Sequence, residues 1–261
     1  MRFRARGRAL SGKRRLEMRS LGSVDLPAYL RAFGLLARNP QIALAPLLAG
    51  VIDVLLRMIF PAEIGSGFLG AANSGLAQLL SQLVWYAGLG FALIFAENVW
   101  RRGHTSFDEG WEEGRRKLGD IALAAFGFTF IVSLGSVVGS MLGIEAVGAV
   151  LGLVATYFFI YTIPAAAIGG VPGFGALEIS LQRAKRAPLA TLLVTVVFIA
   201  AFTYVPTLIV MALTPVLLSN SLFAQTTVID ILIAAIRAVV AAYVALVLAR
   251  AYDDASYGRF R

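Results

Sequence analysis

The sequence predicts an all-α membrane protein with six transmembrane helices, and three observations support this fold class. Of the 261 residues, 59% are hydrophobic and only 15% are charged, whereas a soluble chain carries about 25% charged residues. The apolar residues form long uncharged runs, each long enough for the roughly 20 residues that a membrane-spanning helix needs. Most Lys and Arg residues lie in alternate connections between these runs, as expected for a polytopic membrane protein.

A strongly basic arm, residues 1–22, opens the chain and is expected to be disordered. Its first 20 residues carry a net charge of +7, whereas the remaining 241 carry only +1. No apolar stretch of the signal-peptide type follows the arm. Two interpretations stay open: a polybasic segment attracted to anionic headgroups, or sequence upstream of a true start at Met18. Because the basicity does not belong to a folded face, we expect no nucleic-acid partner.

Short amphipathic helices are predicted in three basic connections, at 26–38, 106–118 and 174–186. Each has apolar residues at helical spacing and basic residues beside them, which is typical of a helix lying in the membrane interface. The second begins with a capping box at Ser106 and Glu109. Anchoring is the simpler interpretation and docking of a partner is the alternative. The expected interfacial anchors are Tyr29, Phe33, Phe107, Trp111 and Phe174.

Six transmembrane helices are predicted within a membrane domain of residues 23–250, which a short tail, 251–261, follows. Pro40 and Pro188 lie at the first turn of the first and fifth spans, where proline costs least. Pro164, Pro206 and Pro215 predict kinks. The spans are expected at 40–60, 76–98, 121–142, 146–169, 188–212 and 228–250.

The orientation follows from the basic residues, because cytoplasmic connections retain Lys and Arg. Twenty-one of the 23 basic residues fall on one side of the predicted bundle, and three opposite connections, 61–75, 143–145 and 213–227, contain none. Both termini should therefore be cytoplasmic in a bacterial-type inner membrane.

An internal repeat of interfacial helix, basic turn and span is suggested by three joints. They read GLLARNPQIALAPLL, GRRKLGDIALAAF and LQRAKRAPLATLLV, with Arg38, Lys117 and Arg186 in equivalent places. The repeat would place three helical hairpin units around a pseudo-threefold axis.

The chain also resembles a family, through AFGLLARNPQIALAPLLAG, WRRGHTSFDEGWEEGRRKLGDI and YTIPAAAIGG followed by ALEISLQRAKRAP. These segments are similar to poorly characterised bacterial six-helix membrane proteins, a group that includes the membrane domain fused ahead of some glycerophosphodiester phosphodiesterases. The resemblance would cover residues 23–250 and implies a fold and a location. Its motifs are topogenic, so it implies no active residues. No phosphodiesterase domain is expected here, because only eleven residues follow Arg250.

Four charged residues fall at predicted spans, where charge is costly and marks a candidate site. Asp53 and Arg57 share one face of the first span, and Asp230 and Arg237 share one face of the sixth. At a rise of about 1.5 Å per residue, Asp53 and Arg237 lie at similar depths below the outer ends of their spans, and Arg57 and Asp230 lie at similar, shallower depths. We therefore expect these helices to be antiparallel neighbours, with Asp53 facing Arg237 and Arg57 facing Asp230. Neutralising Asp53 or Arg237 should destabilise the protein, and exchanging the two charges should partly restore it.

This charge cluster has two interpretations. A buried ion pair would lock the register of the two helices. Alternatively, a hydrated cavity would let Arg237 hold an anion. The structural interpretation is favoured, because a transporter normally shows more polar groups at the membrane midplane.

Small residues predict close helix packing on the third and fourth spans. Gly135, Gly139 and Gly143 form one ridge, and Gly148 and Gly152 form another. Because only residues 143–145 connect the two spans, we expect the ridges to face each other within one hairpin.

The residue inventory removes most redox and zinc chemistry, while a lipid-modifying enzyme that works with Asp, Glu, Arg, Ser and Tyr stays a third interpretation of the chain. The chain has no Cys and one His, His104, so thiolate chemistry and multi-histidine metal sites are absent. It contains no GxSxG, HExxH or Walker motif, and we expect neither a cofactor nor a metal. One acidic cluster occurs, interpreted as a solvated helix face: Asp108, Glu109, Glu112 and Glu113.

The expected role is non-enzymatic: organising lipid, including anionic headgroups at the cytoplasmic face, or scaffolding a membrane-protein partner. The alternative is a small-solute or anion transporter or channel that uses the charge cluster.

Overall fold

The computed structural model describes residues 26–60, 68–217 and 222–257, and within these ranges the chain is helical without strands. The basic arm, with Met18, and the last residues of the tail lie outside them. The helices are α1 (Leu26–Arg38), a 3-10 turn (Pro40–Ala43), α2 (Leu44–Ile59), α3 (Phe68–Arg102), α4 (Phe107–Met141), α5 (Glu145–Phe159), α6 (Thr162–Ala167), α7 (Gly175–Arg186), α8 (Pro188–Ile199), a π-helical turn (Ala200–Tyr204), α9 (Val205–Leu217) and α10 (Leu222–Tyr257).

Within the described ranges, six helical segments are long and apolar enough to cross a membrane, judged by their length and composition. Each overlaps one of the predicted spans, so the all-α class and the six spans are confirmed at this level. The segments are Pro40–Ile59, Gly75–Arg102, Phe107–Gly139, Glu145–Ala167, Pro188–Ile209 and Asp230–Ala255.

In two of the basic connections, a proline sets the residue at which the preceding helix ends. Asn39 (φ −131°, ψ 64°) and Ala187 (φ −127°, ψ 64°) adopt nearly the same non-helical conformation, and each precedes a proline, which disfavours the α region for the residue before it. Helices α1 and α7 therefore end there, at the predicted bounds. The middle joint of the three has Gly119 where the other two have Pro40 and Pro188.

A separate interfacial helix at 106–118 is thus a wrong prediction, because α4 runs unbroken from Phe107 to Met141. Its first turns pack on α3: a Cβ at Gly110 would lie 2.3 Å from the Phe95 ring, and one at Gly114 would lie 2.4 Å from Phe91. The apolar stripe of this segment is therefore a packing face. The threefold repeat stays a prediction, since its middle unit differs from the other two.

Two internal prolines accompany local changes in the spans. The fourth span is interrupted at Ile160 and Tyr161, between α5 and α6, and Pro164 lacks the N–H that would bond the Ile160 carbonyl. Pro206 follows the π-helical turn in the fifth span. Helix α9 continues through Pro215 to Leu217.

Helix α10 packs against both α2 and α3. A Cβ at Gly50 of α2 would lie 3.0 Å from Ala234 of α10, and Phe33 of α1 stacks on Tyr243 with ring centroids 4.2 Å apart. Helices α2 and α10 are therefore antiparallel neighbours, as the sequence predicted. The close approach rests on a buried alanine stripe along α10: Ala234, Ala238, Ala241, Ala245 and Ala249.

The connections with most of the Lys and Arg residues meet at one end of the bundle, which we call the basic end. Gln41 of the 3-10 turn donates a hydrogen bond to the carbonyl of Thr105. Lys117 of α4 donates one to the carbonyl of Ala167, 2.8 Å away, and Arg183 of α7 donates one to Tyr252 of α10, 2.6 Å away. The α4–α5 turn and the end of α2 lie at the opposite end.

Glycines bring α4 and α5 into contact. A Cβ at Gly139 would lie 2.5 Å from the Cα of Gly148, and one at Gly135 would lie 2.7 Å from the amide nitrogen of Gly152. The two ridges face each other within one hairpin, as expected. Gly143 differs from the prediction: it forms the turn, with φ +66°, and is not part of the contact.

Candidate functional site

Asp53 is the centre of the polar site predicted in the spans. It lies on α2 and is 4% exposed. Its carboxylate accepts hydrogen bonds from the Ser81 hydroxyl, from the Trp85 indole at 3.0 Å and from Arg57 at 3.1 Å. Ser81 and Trp85 are four residues apart on α3, so one helical face supplies both donors.

Arg57 and Arg237 differ in their partners. Arg57 forms an ion pair with Asp53 on its own helix, and its side chain is 56% exposed. Arg237 lies over the Trp85 ring, 6.0 Å from the ring centroid, in a cation–π arrangement. Within the described ranges, no carboxylate forms an ion pair with Arg237 or Arg57 other than Asp53 with Arg57.

The predicted cross-helix pairs, Asp53 with Arg237 and Arg57 with Asp230, are therefore not formed. The reason is Trp85, whose indole N–H bonds Asp53 and whose ring faces Arg237. The indole thus contacts both members of the expected pair. The intrahelical pair and two α3 donors satisfy Asp53 instead.

All four predicted charges nevertheless line one cavity, together with Trp85, Val54, Ile233 and Ala234. Its volume is about 10 Å³. A cavity of that size holds about one water molecule. The site as it stands therefore has room for a bridging water and not for a solute.

A second group of charges meets at the basic end, and sequence reasoning missed its extent. Glu97 of α3 pairs with Arg101 at 2.5 Å, and Lys117 pairs with Glu113 at 2.7 Å. Lys117 also bonds the last carbonyl of α6, where a cation complements the helix dipole. Both ion pairs have i,i+4 spacing and were visible in the sequence, but the fact that they lie close together depends on the fold.

Arg183 joins α7 to the end of α10. Its guanidinium lies 3.3 Å from the centroid of the Tyr252 ring and donates to the Tyr252 carbonyl. Burial lowers the pKa of Arg183 from its ordinary value, and the nearby Tyr252 and Asp253 oppose this shift. Arg183 is therefore a packed residue of the basic end.

The five predicted interfacial anchors fall in different surroundings. Phe33 is exposed and stacks on Tyr243, and the Tyr29 carbonyl accepts a hydrogen bond from the same tyrosine at 3.4 Å. Trp111 packs on Phe91 with centroids 5.1 Å apart, and Phe107 stacks on Phe95 and Trp111. These two residues hold α4 to α3. Phe174 is 53% exposed.

Phe174 borders an apolar groove between α4 and the start of α7. The groove has a volume of about 370 Å³, within the range typical of ligand sites. Gly127 forms its floor: a Cβ there would lie 3.1 Å from both Phe174 and Leu177. The lining residues are all without polar side chains: Phe126, Gly127, Phe130, Ile131, Phe174 and Leu177.

These features define a class: within the described ranges, a helical protein with six segments able to cross a membrane, a small charge site and a basic end. Among the described residues, no group of three or more His, Cys, Asp or Glu side chains is placed to hold a metal ion. Comparisons with protein-family models, with curated proteins and with solved structures found no match to the chain. The resemblance to bacterial six-helix membrane proteins therefore stays an expectation.

Proposed function

We propose that the chain is a non-enzymatic, multi-pass protein of a bacterial inner membrane that organises anionic lipid around its basic end. Both termini would lie in the cytoplasm, so the basic end would face the inner leaflet. Holding a membrane-protein partner is the other role that this surface allows.

One observation carries the proposal: exposed cations are gathered at one end of the bundle. Among the described residues, five acidic side chains are exposed at this end as well, Asp108, Glu109, Glu112, Glu178 and Asp254, so the cations are in excess. The described basic residues exposed at the basic end are Arg31, Arg38, Arg101, Arg102, Arg115, Arg116, Lys185 and Arg186.

Electrostatics supplies the mechanism. Each Lys or Arg near an anionic leaflet contributes about 1 kcal/mol of attraction. Because three separate helices, α1, α4 and α7, each present exposed cations at the basic end, anionic headgroups would collect at several positions and not at a single point. The charge cluster supports a structural role for the interior, since its cavity has room for about one water molecule.

The proposal is tested by measuring the lipid shell of the full chain. The protein is reconstituted in vesicles of phosphatidylethanolamine and phosphatidylglycerol, extracted gently, and its retained lipids are quantified. We expect phosphatidylglycerol to be enriched over the bulk composition. The triple variant Arg31→Gln, Lys185→Gln, Arg186→Gln should lose most of that enrichment.

Glu145→Gln is the matched control, because Glu145 is exposed at the opposite end. It should leave the enrichment unchanged. A retained-lipid composition equal to that of the bulk vesicle in the wild-type chain would reject the proposal.

A transporter or channel for a small anion is the second candidate, favoured by Arg237. This cation lines a cavity and forms no ion pair with any described carboxylate. Transport predicts flux of iodide or phosphate into proteoliposomes that Arg237→Gln abolishes. Flux equal to that of protein-free liposomes would eliminate this candidate.

A further inference from the structure

An exposed stripe on α4 leads from the basic end to the apolar groove. Arg115, Gly119, Ala122, Phe126 and Phe130 follow one another at helical spacing and are all exposed. They therefore lie along one face of the helix. Arg115 precedes Phe126 by eleven residues, or about 16 Å along the axis. This is about half of the roughly 30 Å hydrocarbon thickness of a bilayer.

The middle of this stripe is a shallow trough. A Cβ at Gly119 would meet nothing within 4 Å, and Ala122 carries only a methyl group. Leu118 and Leu123 are exposed on either side of these two small residues and form the walls of the trough. A linear alkyl chain therefore has an unobstructed path along the helix surface.

The far end of the trough opens into the apolar groove. Phe126 and Phe130 stack with their centroids 6.2 Å apart on α4, and Phe174 and Leu177 of α7 form the opposite wall. The described lining offers no hydrogen-bonding side chain. Its chemistry fits a hydrocarbon chain and no polar ligand.

Charge identifies the other end of the ligand. Arg115 is exposed. Asp120, the acid nearest to the trough, accepts a hydrogen bond from the amide of Gly173 at 3.2 Å. Glu112 is exposed as well, one turn before Arg115 and therefore farther from the groove along the helix axis. Counted from the groove, Arg115 is thus the first charged group of the stripe, ahead of Glu112.

We infer that α4 binds one anionic phospholipid, with its phosphate at Arg115 and one acyl chain running over Gly119 and Ala122 into the apolar groove. This site rests on the proposed lipid-organising function and deepens it, because it assigns a defined position to one molecule of the lipid shell. Selectivity comes from the headgroup, since lipid tails and an apolar groove are equally apolar.

Native mass spectrometry of the full chain with added phosphatidylglycerol or phosphatidylcholine tests the site. The wild-type chain should retain one phosphatidylglycerol in preference to phosphatidylcholine. Arg115→Gln should weaken its retention about fivefold, and Gly119→Leu, which fills the trough, should weaken it at least as much. Leucine at this position meets no neighbouring atoms at its Cβ, so the fold is expected to be kept.

Two matched controls separate this site from general effects. Arg38→Gln removes the same charge from the end of α1, a helix that contributes no residue to the lining of the groove. Gly34→Leu places the same side chain on α1, where a Cβ also meets nothing within 4 Å. Both variants should retain the lipid as the wild type does.

Photo-crosslinking gives a second readout. Phosphatidylglycerol with a diazirine in its acyl chain should label peptides that contain 126–131 or 174–177, and Gly119→Leu should abolish this labelling. Unchanged retention and labelling in both Arg115→Gln and Gly119→Leu would overturn the site while leaving the proposed function intact. Equal retention of the two lipids by the wild type would overturn both.

Discussion

Asp53 is a carboxylate inside an apolar helix pair, and its neighbours explain how it is tolerated there. An isolated buried charge is costly unless hydrogen bonds and a counter-charge compensate for it. Ser81, Trp85 and Arg57 supply three donors to Asp53. The first two come from α3, so the carboxylate joins α2 to α3 and not, as the sequence indicated, α2 to α10.

Replacing Asp53 should therefore cost more than replacing Arg237. Asp53→Asn removes the charge that three donors share and should lower stability by about 2 kcal/mol. Arg237→Met should be close to neutral, because it removes a partly buried cation that has no ion pair among the described residues. Thermal unfolding in detergent measures both changes.

Ser81→Ala is the control and should give a smaller loss of about 1 kcal/mol. The exchange Asp53→Arg with Arg237→Asp should not rescue stability, since Ser81 and Trp85 would then face a guanidinium. Rescue by the exchange would reinstate the cross-helix pair.

Charged members of the site could be predicted from the sequence, and uncharged ones could not. Asp53, Arg57, Asp230 and Arg237 stand out because apolar runs rarely contain charge, and the structure brings all four to one cavity. Trp85 is an ordinary residue of a transmembrane helix, and its role depends on which helix lies beside α2. That neighbour is a property of the folded chain.

At the scale of elements, the α4–α5 hairpin depends on glycines of unequal importance. A Cβ at Gly135 would meet backbone atoms at 2.7 Å, whereas one at Gly152 would meet only the Val132 carbonyl, at 3.9 Å. The ridges look equivalent in the sequence. The structure distinguishes Gly135 from Gly152 because only the first of these two glycines directs its missing Cβ at close range toward the backbone of the other helix.

Gly135→Ala should therefore destabilise the protein by about 1–3 kcal/mol through overpacking. Gly152→Ala should be neutral or stabilising, because alanine favours a helix over glycine by up to about 1 kcal/mol. Thermal unfolding of both variants provides the comparison. Equal losses would mean that the hairpin packs differently from the structure.

The break between α5 and α6 is held by a single hydroxyl of α7. Ser180 Oγ accepts a hydrogen bond from the Tyr161 amide at 3.0 Å and donates one to the Phe158 carbonyl at 3.0 Å. Ser180 is fully buried. It therefore satisfies a donor and an acceptor near the point where Pro164 interrupts the helix.

Ser180→Ala should leave both backbone groups unsatisfied and cost about 1–3 kcal/mol. Hydrogen exchange measured by mass spectrometry should speed up at 158–162. Gln182→Ala, on the same helix, is the control and should leave exchange in this segment unchanged. Protection that persists in Ser180→Ala would show that the break is stabilised by other contacts.

The ends of helices could be predicted where a proline follows them. The prediction failed at a glycine, which allows a helix either to end or to continue. Pro40 and Pro188 ended α1 and α7 at the predicted residues. At the middle joint, the sequence predicted a boundary at Gly119 and Asp120, yet α4 continues through both residues. The signal that was missed is Gly110 and Gly114, whose spacing lets the first turns of α4 pack on Phe91 and Phe95 of α3.

At the scale of the whole molecule, the proposed orientation has a direct test, because the chain contains no Cys. His104 is exposed at the basic end and Glu145 at the opposite end. In spheroplasts, a membrane-impermeant maleimide should label Glu145→Cys and leave His104→Cys unlabelled until the membrane is opened. The reverse pattern would invert the proposed orientation.

The arrangement of helices around α10 could be read from the sequence only in part. Hydropathy places six spans, and the intramembrane charges indicated that α2 and α10 are neighbours, but nothing in the sequence indicated that α3 packs against both. Here the buried alanine stripe of α10 allows α2 and α3 to approach closely. Alanine is common in any transmembrane helix, so the stripe becomes informative only when its exposure is known.

Helix length gives the molecule an uneven profile across the membrane. α3 and α4 contain 35 residues each and α10 contains 36, so each is more than 50 Å long at about 1.5 Å per residue. Hydrocarbon occupies only about 30 Å of a bilayer, and headgroups extend this to about 40–45 Å. These three helices must rise above the headgroups or tilt, and α3 and α4 meet at the basic end. Helices that rise would give the bilayer a raised relief at the basic end, which atomic force microscopy could trace, whereas tilted helices would leave the surface flat.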